Sequence, residues 1–116
     1  MSIQRLHVGP RLSEVAIHNG VVYLAGQVAE DSSLDITGQT QQVLAAIDRL
    51  LAEAGSHKSK VLFCQVVLNN IADFAAMNTV YDAWIDPANP PARAAIEARL
   101  AHPALKVEII AVAALD

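Results

Sequence analysis

The stretch VLFCQVVL, Val61 to Leu68, constrains the fold more than any other part of the chain. Its β-branched and aromatic content argues for a strand rather than a helix, and it is far shorter than the roughly 18 apolar residues a membrane span requires. Only Gln65 interrupts it, and near-continuous apolarity suits a central strand covered on both faces. A second run, LKVEIIAVAAL over 105–115, reads as another strand. Between the two lies a helical pattern from Asp73 to Ile85, with Phe74, Met77, Tyr81 and Trp84/Ile85 on one stripe and Pro87, Pro90 and Pro91 ending it.

The first half follows the same alternation of strand and helix. Ser13 to Ile17 alternates weakly, His18-Asn19-Gly20 supplies Asn-Gly turn chemistry, and Val21 to Ala25 continues as a strand, so this region reads as a β-hairpin. Gly26 closes it and permits a close backbone approach. From Gly38 to Ala54, Val43, Ile47, Leu50, Leu51 and Ala54 recur at helical spacing, with Gln39, Gln42, Asp48, Arg49 and Glu53 mostly elsewhere around the cylinder. Gly55 is a natural helix stop.

A chain of 116 residues with no internal repeat or linker makes a single domain. Its 53% hydrophobic content with only 4% aromatics leaves more aliphatic surface than so small an interior hides, which points to an oligomer. The net charge of −4, with eight scattered Lys and Arg, argues against nucleic acid as a partner. The amino terminus, MSIQRLHVGP, lacks the apolar core of a signal peptide, and no segment reads as a membrane span, so a cytoplasmic setting is expected. Cys64, alone of its kind, excludes an internal disulfide and reads as a buried, inert thiol.

The familiar catalytic signatures are absent: no P-loop, GxGxxG, HExxH or CxxC, and His7, His18, His57 and His102 lack metal-ligand spacing. Two charges stand out instead. On a strand over 105–115, Lys106, Glu108, Ile110, Val112 and Ala114 share one face, which sets Glu108 among apolar neighbours. A desolvated carboxylate there suits a general base or a water-orienting group. Arg93, after Pro90 and Pro91, offers the planar fork that grips a carboxylate with two hydrogen bonds. Together they suit a small anionic substrate attacked by water. The alternative is a pair of exposed strand charges with Glu97, Arg99 and Lys106 as partners, and the residues alone favour that alternative.

Longer stretches bring in a resemblance. NGVVYLAGQV (19–28), QTQQVLAAIDRLLAEAG (39–55), KVLFCQVVLNNIADFAAMNTVYDAW (60–84) and PARAAIEARL followed by KVEIIAVAAL resemble the RidA/YjgF family over nearly the whole chain. AIHN, DFAAMN and YDAW bring it closest to the short YoaB-like branch. The resemblance implies a chorismate-mutase-like α+β fold, with one mixed sheet, two helices on one face, and a homotrimer with clefts between subunits. It further implies an enamine/imine deaminase, like 2-iminobutanoate/2-iminopropanoate deaminase, that hydrolyses 2-imino acids such as 2-aminoacrylate to 2-keto acids and ammonia without metal or organic cofactor. A low-turnover metabolite-binding or proteostasis module is the alternative. RNA cleavage, attributed to some relatives, fits the acidic balance poorly.

Matched motif to motif, Arg93 falls on the family's carboxylate-binding arginine and Glu108 on the glutamate that positions the attacking water. Ala95 takes the place of a frequent cysteine whose backbone carbonyl faces the substrate nitrogen. Gly26 matches a cleft-lining glycine, and Asn78 an asparagine on the second helix near the cleft. Leu12, or Arg11 in a register shifted by one, stands where many deaminases carry a tyrosine.

The segment 92–100 reads as a helix by propensity, from Pro91 through ARAAIEARL to Pro103, whereas the resemblance implies a strand there. If that strand forms an antiparallel hairpin with 105–115, turning near His102-Pro103, Glu97 faces Glu108 and Arg93 faces Val112. Arg93 and Glu108 are then on the order of 13 Å apart, too far to hold one small substrate unless a neighbouring chain supplies one of them.

Overall fold

The computed structural model describes residues 2–115. Along the chain run β1 (Gln4–Val8), β2 (Ser13–His18), β3 (Val21–Leu24), β4 (Gln27–Val28), α1 (Ile36–Ala54), β5 (Val61–Leu68), α2 (Phe74–Trp84), β6 (Ala92–Glu97) and β7 (Val107–Ala114). The strands form one seven-stranded sheet in the order β1-β2-β3-β7-β5-β6, with β4 also pairing to β7. Only β5 and β6 pair in parallel, so the sheet is mixed. This is the expected α+β architecture.

Connectivity explains why both helices lie on one face. From β4 through α1 the chain crosses β7 to reach β5, and from β5 through α2 it steps on to β6. Both crossovers travel the same way across the sheet, and the strong preference for right-handed crossovers then puts both helices on the same side.

The local signals explain the elements. The β2–β3 turn uses Asn19 and Gly20 at φ 52° and 75°, the paired positive values of a tight hairpin turn. Helix α1 starts earlier than its apolar stripe suggests, because the Asp35 carboxylate accepts from the Gly38 N–H at 2.9 Å as its N-cap. It stops at Gly55, whose φ of 87° only glycine adopts readily. Val15, Val22, Val43, Ile47, Leu50, Leu51, Val66, Met77 and Ile109 form the solvent-free centre between helices and sheet, and Cys64 lies buried with them.

Three sequence-based expectations need correcting. Residues 92–97 form a strand, so the helical propensity of this segment is overridden by pairing with Phe63–Leu68 of β5. β6 and β7 do not form a hairpin, since β5 lies between them; Arg93 pairs with Cys64, not Val112. Gln39 is fully buried rather than on the polar side of α1. Its Nε2 donates to Ser32, Leu34 and Ala104 carbonyls, and its Oε1 accepts from the Lys106 N–H at 2.8 Å.

Among the described residues, one face of the sheet carries no helix. Tyr23, Val28, Phe63 and Ile96 all project there and remain 50%, 37%, 37% and 49% exposed. Thus β5 is covered on one face only within a single chain. No helix among the described residues is long and apolar enough to cross a membrane.

Candidate functional site

Helical periodicity builds the surroundings of Arg93. Phe74, Asn78 and Tyr81 are spaced four and three residues apart on α2, so they form one stripe. Arg93 sits opposite buried Cys64 in the sheet register, which turns its side chain to the same helix-covered side. There its Nη1 donates to Asn78 Oδ1 at 2.7 Å, and its guanidinium carbon stands 4.6 Å from the Tyr81 ring centre and 5.7 Å from that of Phe74. The arginine is half-buried, yet among the described residues no carboxylate lies within ion-pairing distance of it. Burying a charge without a counter-charge is costly, and a site that accepts this cost is prepared for an anion.

Two neighbours feel the low dielectric. Burial pushes the Cys64 thiol up to about 11 and the Tyr81 phenol up to about 12, with the Arg93 charge opposing both. Cys64 is therefore a neutral core thiol, not a nucleophile.

Glu108 lies on the opposite face. It pairs with Val67 of β5 and Val28 of β4, and its side chain projects from the helix-free side. A bulge prepares its place. From Tyr23 to Gln27 the chain advances four residues, while their partners Val112 and Ile109 on β7 are three apart. The one extra residue lets Gln27 regain the buried side and leaves Gly26 on the face of Glu108. A Cβ on Gly26 would stand 2.9 Å from Glu108 Cδ and 3.2 Å from Cγ, so only glycine leaves the carboxylate room. Leu12 is 56% exposed in the turn that leads into β2, where its carbonyl accepts from the Gly9 N–H at 2.8 Å, and no strand pairing among the described residues brings it to Gly26 or Glu108. Arg11 is exposed beside it.

The predicted residues therefore fall into two groups, Arg93 with Asn78 and Ala95, and Glu108 with Gly26, while Leu12 lies on the exposed turn before β2. Ala95 pairs with Val66 and shares the face of Arg93. The Ala98 N–H is turned inward to Leu68 O at 2.9 Å, so by alternation the Ala95 N–H and C=O face the open edge of the sheet. The two groups do not meet within one chain. Arg93 and Glu108 are separated by two strand spacings and three residues along β5, on the order of 14 Å between Cα atoms, with side chains on opposite faces. Clefts of about 400 Å3 at Asn69, Arg99, Leu100, His102 and Pro103, and of about 350 Å3 at residues that include Lys60 and Asn89, take in neither.

The family model described as Endoribonuclease L-PSP matches residues 2–115. A RutC family protein of Haemophilus ducreyi is 53% identical over 98% of this chain and 97% of its own length. The chain belongs to the RidA/YjgF family. The RutC family protein YoaB of Escherichia coli is 42% identical over 99% of this chain and 100% of its own. Among solved structures, a YjgF family protein from Neisseria meningitidis superposes with a TM-score of 0.95 at 45% identity, covering 98% of this chain and 95% of that one.

Residue-level reading missed the side chains that surround Arg93. Tyr81 and Phe74 appear in sequence as core stripe positions, and nothing local marks them as neighbours of Arg93. Gln39 carried a signal only in hindsight: a polar residue at a position that helical phase turns inward, fixing the Lys106 segment two residues ahead of Glu108.

Proposed function

We propose that this protein hydrolyses 2-imino acids to 2-keto acids and ammonia, in sites formed where subunits of a homotrimer meet. The observation that carries this reading is Arg93, a half-buried cation held by Asn78 and Tyr81 and left without a carboxylate among the described residues. Its fork binds the substrate carboxylate. The bare apolar sheet face supports assembly, because Tyr23, Phe63 and Ile96 would otherwise stay in water. Assembly also resolves the separation of the two charges: Glu108 of one subunit serves the Arg93 of its neighbour.

The chemistry needs only water and proton transfer. Glu108 orients a water molecule and accepts one of its protons as the oxygen attacks the imine carbon, and passes that proton to the nitrogen to give a carbinolamine. The carboxylate then takes the hydroxyl proton and delivers it to the nitrogen as the carbon–nitrogen bond breaks, so that ammonia leaves, the carbonyl forms and Glu108 is again ionised. The Ala95 C=O at the open sheet edge accepts a hydrogen bond from the substrate N–H, a role indifferent to the side chain at that position. Leu12 offers no phenol to this step, so orientation of the water rests on Glu108.

The test is to generate 2-iminobutyrate with a pyridoxal-dependent dehydratase and follow 2-oxobutyrate release with and without the protein. Faster release supports the proposal. Saturable 2-oxobutyrate binding without acceleration assigns the chain to the low-turnover binding module instead. Degradation of RNA in a parallel assay, with no effect on the imine, favours the activity in the family description.

A further inference from the structure

Arg93 is the end of a longer series of contacts. Its guanidinium lies over the face of Tyr81 at 4.6 Å, and Tyr81 is itself only 6% exposed. The Tyr81 ring packs against Trp84 at 5.8 Å between centres, tilted by 53°. Trp84 Nε1 in turn donates to both carboxylate oxygens of Asp48, each at 3.0 Å. Asp48 belongs to α1, Tyr81 and Trp84 to α2, and Arg93 to the edge strand β6. The contacts thus tie the candidate anion site to the helix farthest from it in sequence.

The arrangement limits what Arg93 can do. A guanidinium has five N–H donors in one plane. Here the guanidinium carbon lies over the Tyr81 ring, 4.6 Å from its centre, and Nη1 is engaged by Asn78. With the ring and Asn78 occupying part of its surroundings, a carboxylate meets the donors left over, and the two-bond geometry in the plane of the fork is the one that arginine favours. A long flexible side chain otherwise loses much freedom when it grips a ligand, and stacking removes that freedom beforehand.

The geometry points to Tyr81 as a positioning residue for Arg93, with Trp84 and Asp48 fixing the ring beneath it. This rests on the reading of Arg93 as a carboxylate clamp. What acts is the ring face, through its attraction for the cation, not the hydroxyl. The contacts bear on affinity for the carboxylate more than on the chemical step.

The experiment uses the full-length assembled protein and two readouts: 2-oxobutyrate affinity by calorimetry, and kcat and KM for 2-iminobutyrate hydrolysis. Tyr81→Phe keeps the ring and is expected to stay within about twofold of the parent in both. Tyr81→Leu fills the core but offers no ring face, and should raise Kd and KM about tenfold with kcat far less affected. Trp84→Phe loses the Asp48 bond, keeps a ring against Tyr81, and should weaken binding about threefold; it decides the matter if Tyr81→Leu does not fold. A loss in Tyr81→Phe as large as in Tyr81→Leu overturns the ring-face argument. Parent-like affinity in a folded Tyr81→Leu, or in Trp84→Phe where Tyr81→Leu fails to fold, overturns the positioning role. Arg93→Ala separates the two levels. If it binds 2-oxobutyrate like the parent, the clamp itself is wrong; if it loses binding while Tyr81→Leu does not, only the positioning inference falls.

Discussion

Replacing Gly26 with alanine should separate activity from stability. The backbone tolerates the change, since Gly26 is not among the residues with positive φ. The obstacle is the Glu108 side chain, with Cγ at 3.2 Å and Cδ at 2.9 Å from the new methyl and Oε2 closer still. Carbon atoms rest at about 3.5–4.0 Å, so Cγ must yield by a few tenths of an ångström and the carboxylate by about 1 Å. The far end of a glutamate moves easily, and alanine also restricts the unfolded chain, so stability should stay within about 1 kcal/mol of the parent. A reacting group displaced by about 1 Å can cost on the order of 100-fold in rate, and kcat for imine hydrolysis should fall on that scale. Steady-state kinetics and urea unfolding, run on the same preparations, measure both. Parent-like kcat in the folded variant would show that Glu108 does not act from the position it occupies here. A stability loss above about 3 kcal/mol would show that backbone, not a movable side chain, fills the space over Gly26.

Four further outcomes follow from the same geometry. Arg93→Lys keeps the charge and loses the fork, so 2-oxobutyrate binding by calorimetry should weaken about tenfold while the fold persists. Glu108→Gln should lower kcat far more than it lowers 2-oxobutyrate affinity; equal losses would assign Glu108 to binding. Inactive Arg93→Ala and Glu108→Gln subunits, mixed so that they exchange, should regain part of the hydrolysis rate, and mixed assemblies without activity would refute the shared site. Burial raises the Cys64 thiol from its ordinary 9.0 to about 11, so above pH 9 the unfolded chain releases its proton first. Stability should be level below pH 9 and then decline through pH 11, with about 1 kcal/mol lost at pH 10 from this group. Cys64→Ala should flatten that part of a urea-unfolding profile, while Tyr81, raised to about 12, extends the decline upward.

The legible parts of the sequence are those whose cause is local. Asn19-Gly20 dictates its turn, Gly55 its helix stop, and the run Val61–Leu68 its strand. Of the candidate site, the sequence offers the residue types Arg93 and Glu108, but not their geometry. Strand order is a property of the whole chain, so nothing in 92–115 reveals that β5 inserts between β6 and β7. β4, only Gln27 and Val28, is too short to show any period, and the bulge that aims Gly26 at Glu108 depends on it. Gln39 and Tyr81 carry ordinary helix spacing, and their importance comes from partners 67 and 12 residues away in sequence, Lys106 and Arg93.

The strand at 92–97 shows where local propensity yields to sheet pairing. ARAAIE would form a helix readily in isolation, but such a helix has only Ile96 among alanines to bury, whereas the strand gains a full ladder with Phe63–Leu68. The conformation also decides which backbone groups are free. In a helix, the interior carbonyls are spent on bonds to N–H groups four residues on. On an edge strand, alternate residues keep both N–H and C=O unpaired, normally a liability for a protein surface. Here that open edge holds the Ala95 carbonyl two residues from Arg93, about 7 Å along the strand, which under the proposed function is the span between the two ends of a small imino acid. The alanines that misdirect a propensity argument also keep the edge slim, which suits the approach of a ligand and a neighbouring subunit that the proposed function calls for. A substitution such as Ala94→Pro would test this directly. The Ala94 backbone faces β5, and its carbonyl accepts from Gln65 Nε2 at 3.2 Å, so proline would remove an inward ladder N–H and unseat the strand. Ala95→Pro removes only an edge N–H and leaves the carbonyl in place. Hydrolysis should be lost in the first and largely kept in the second; the reverse order would mean that β6 presents the opposite set of backbone groups to its ligand.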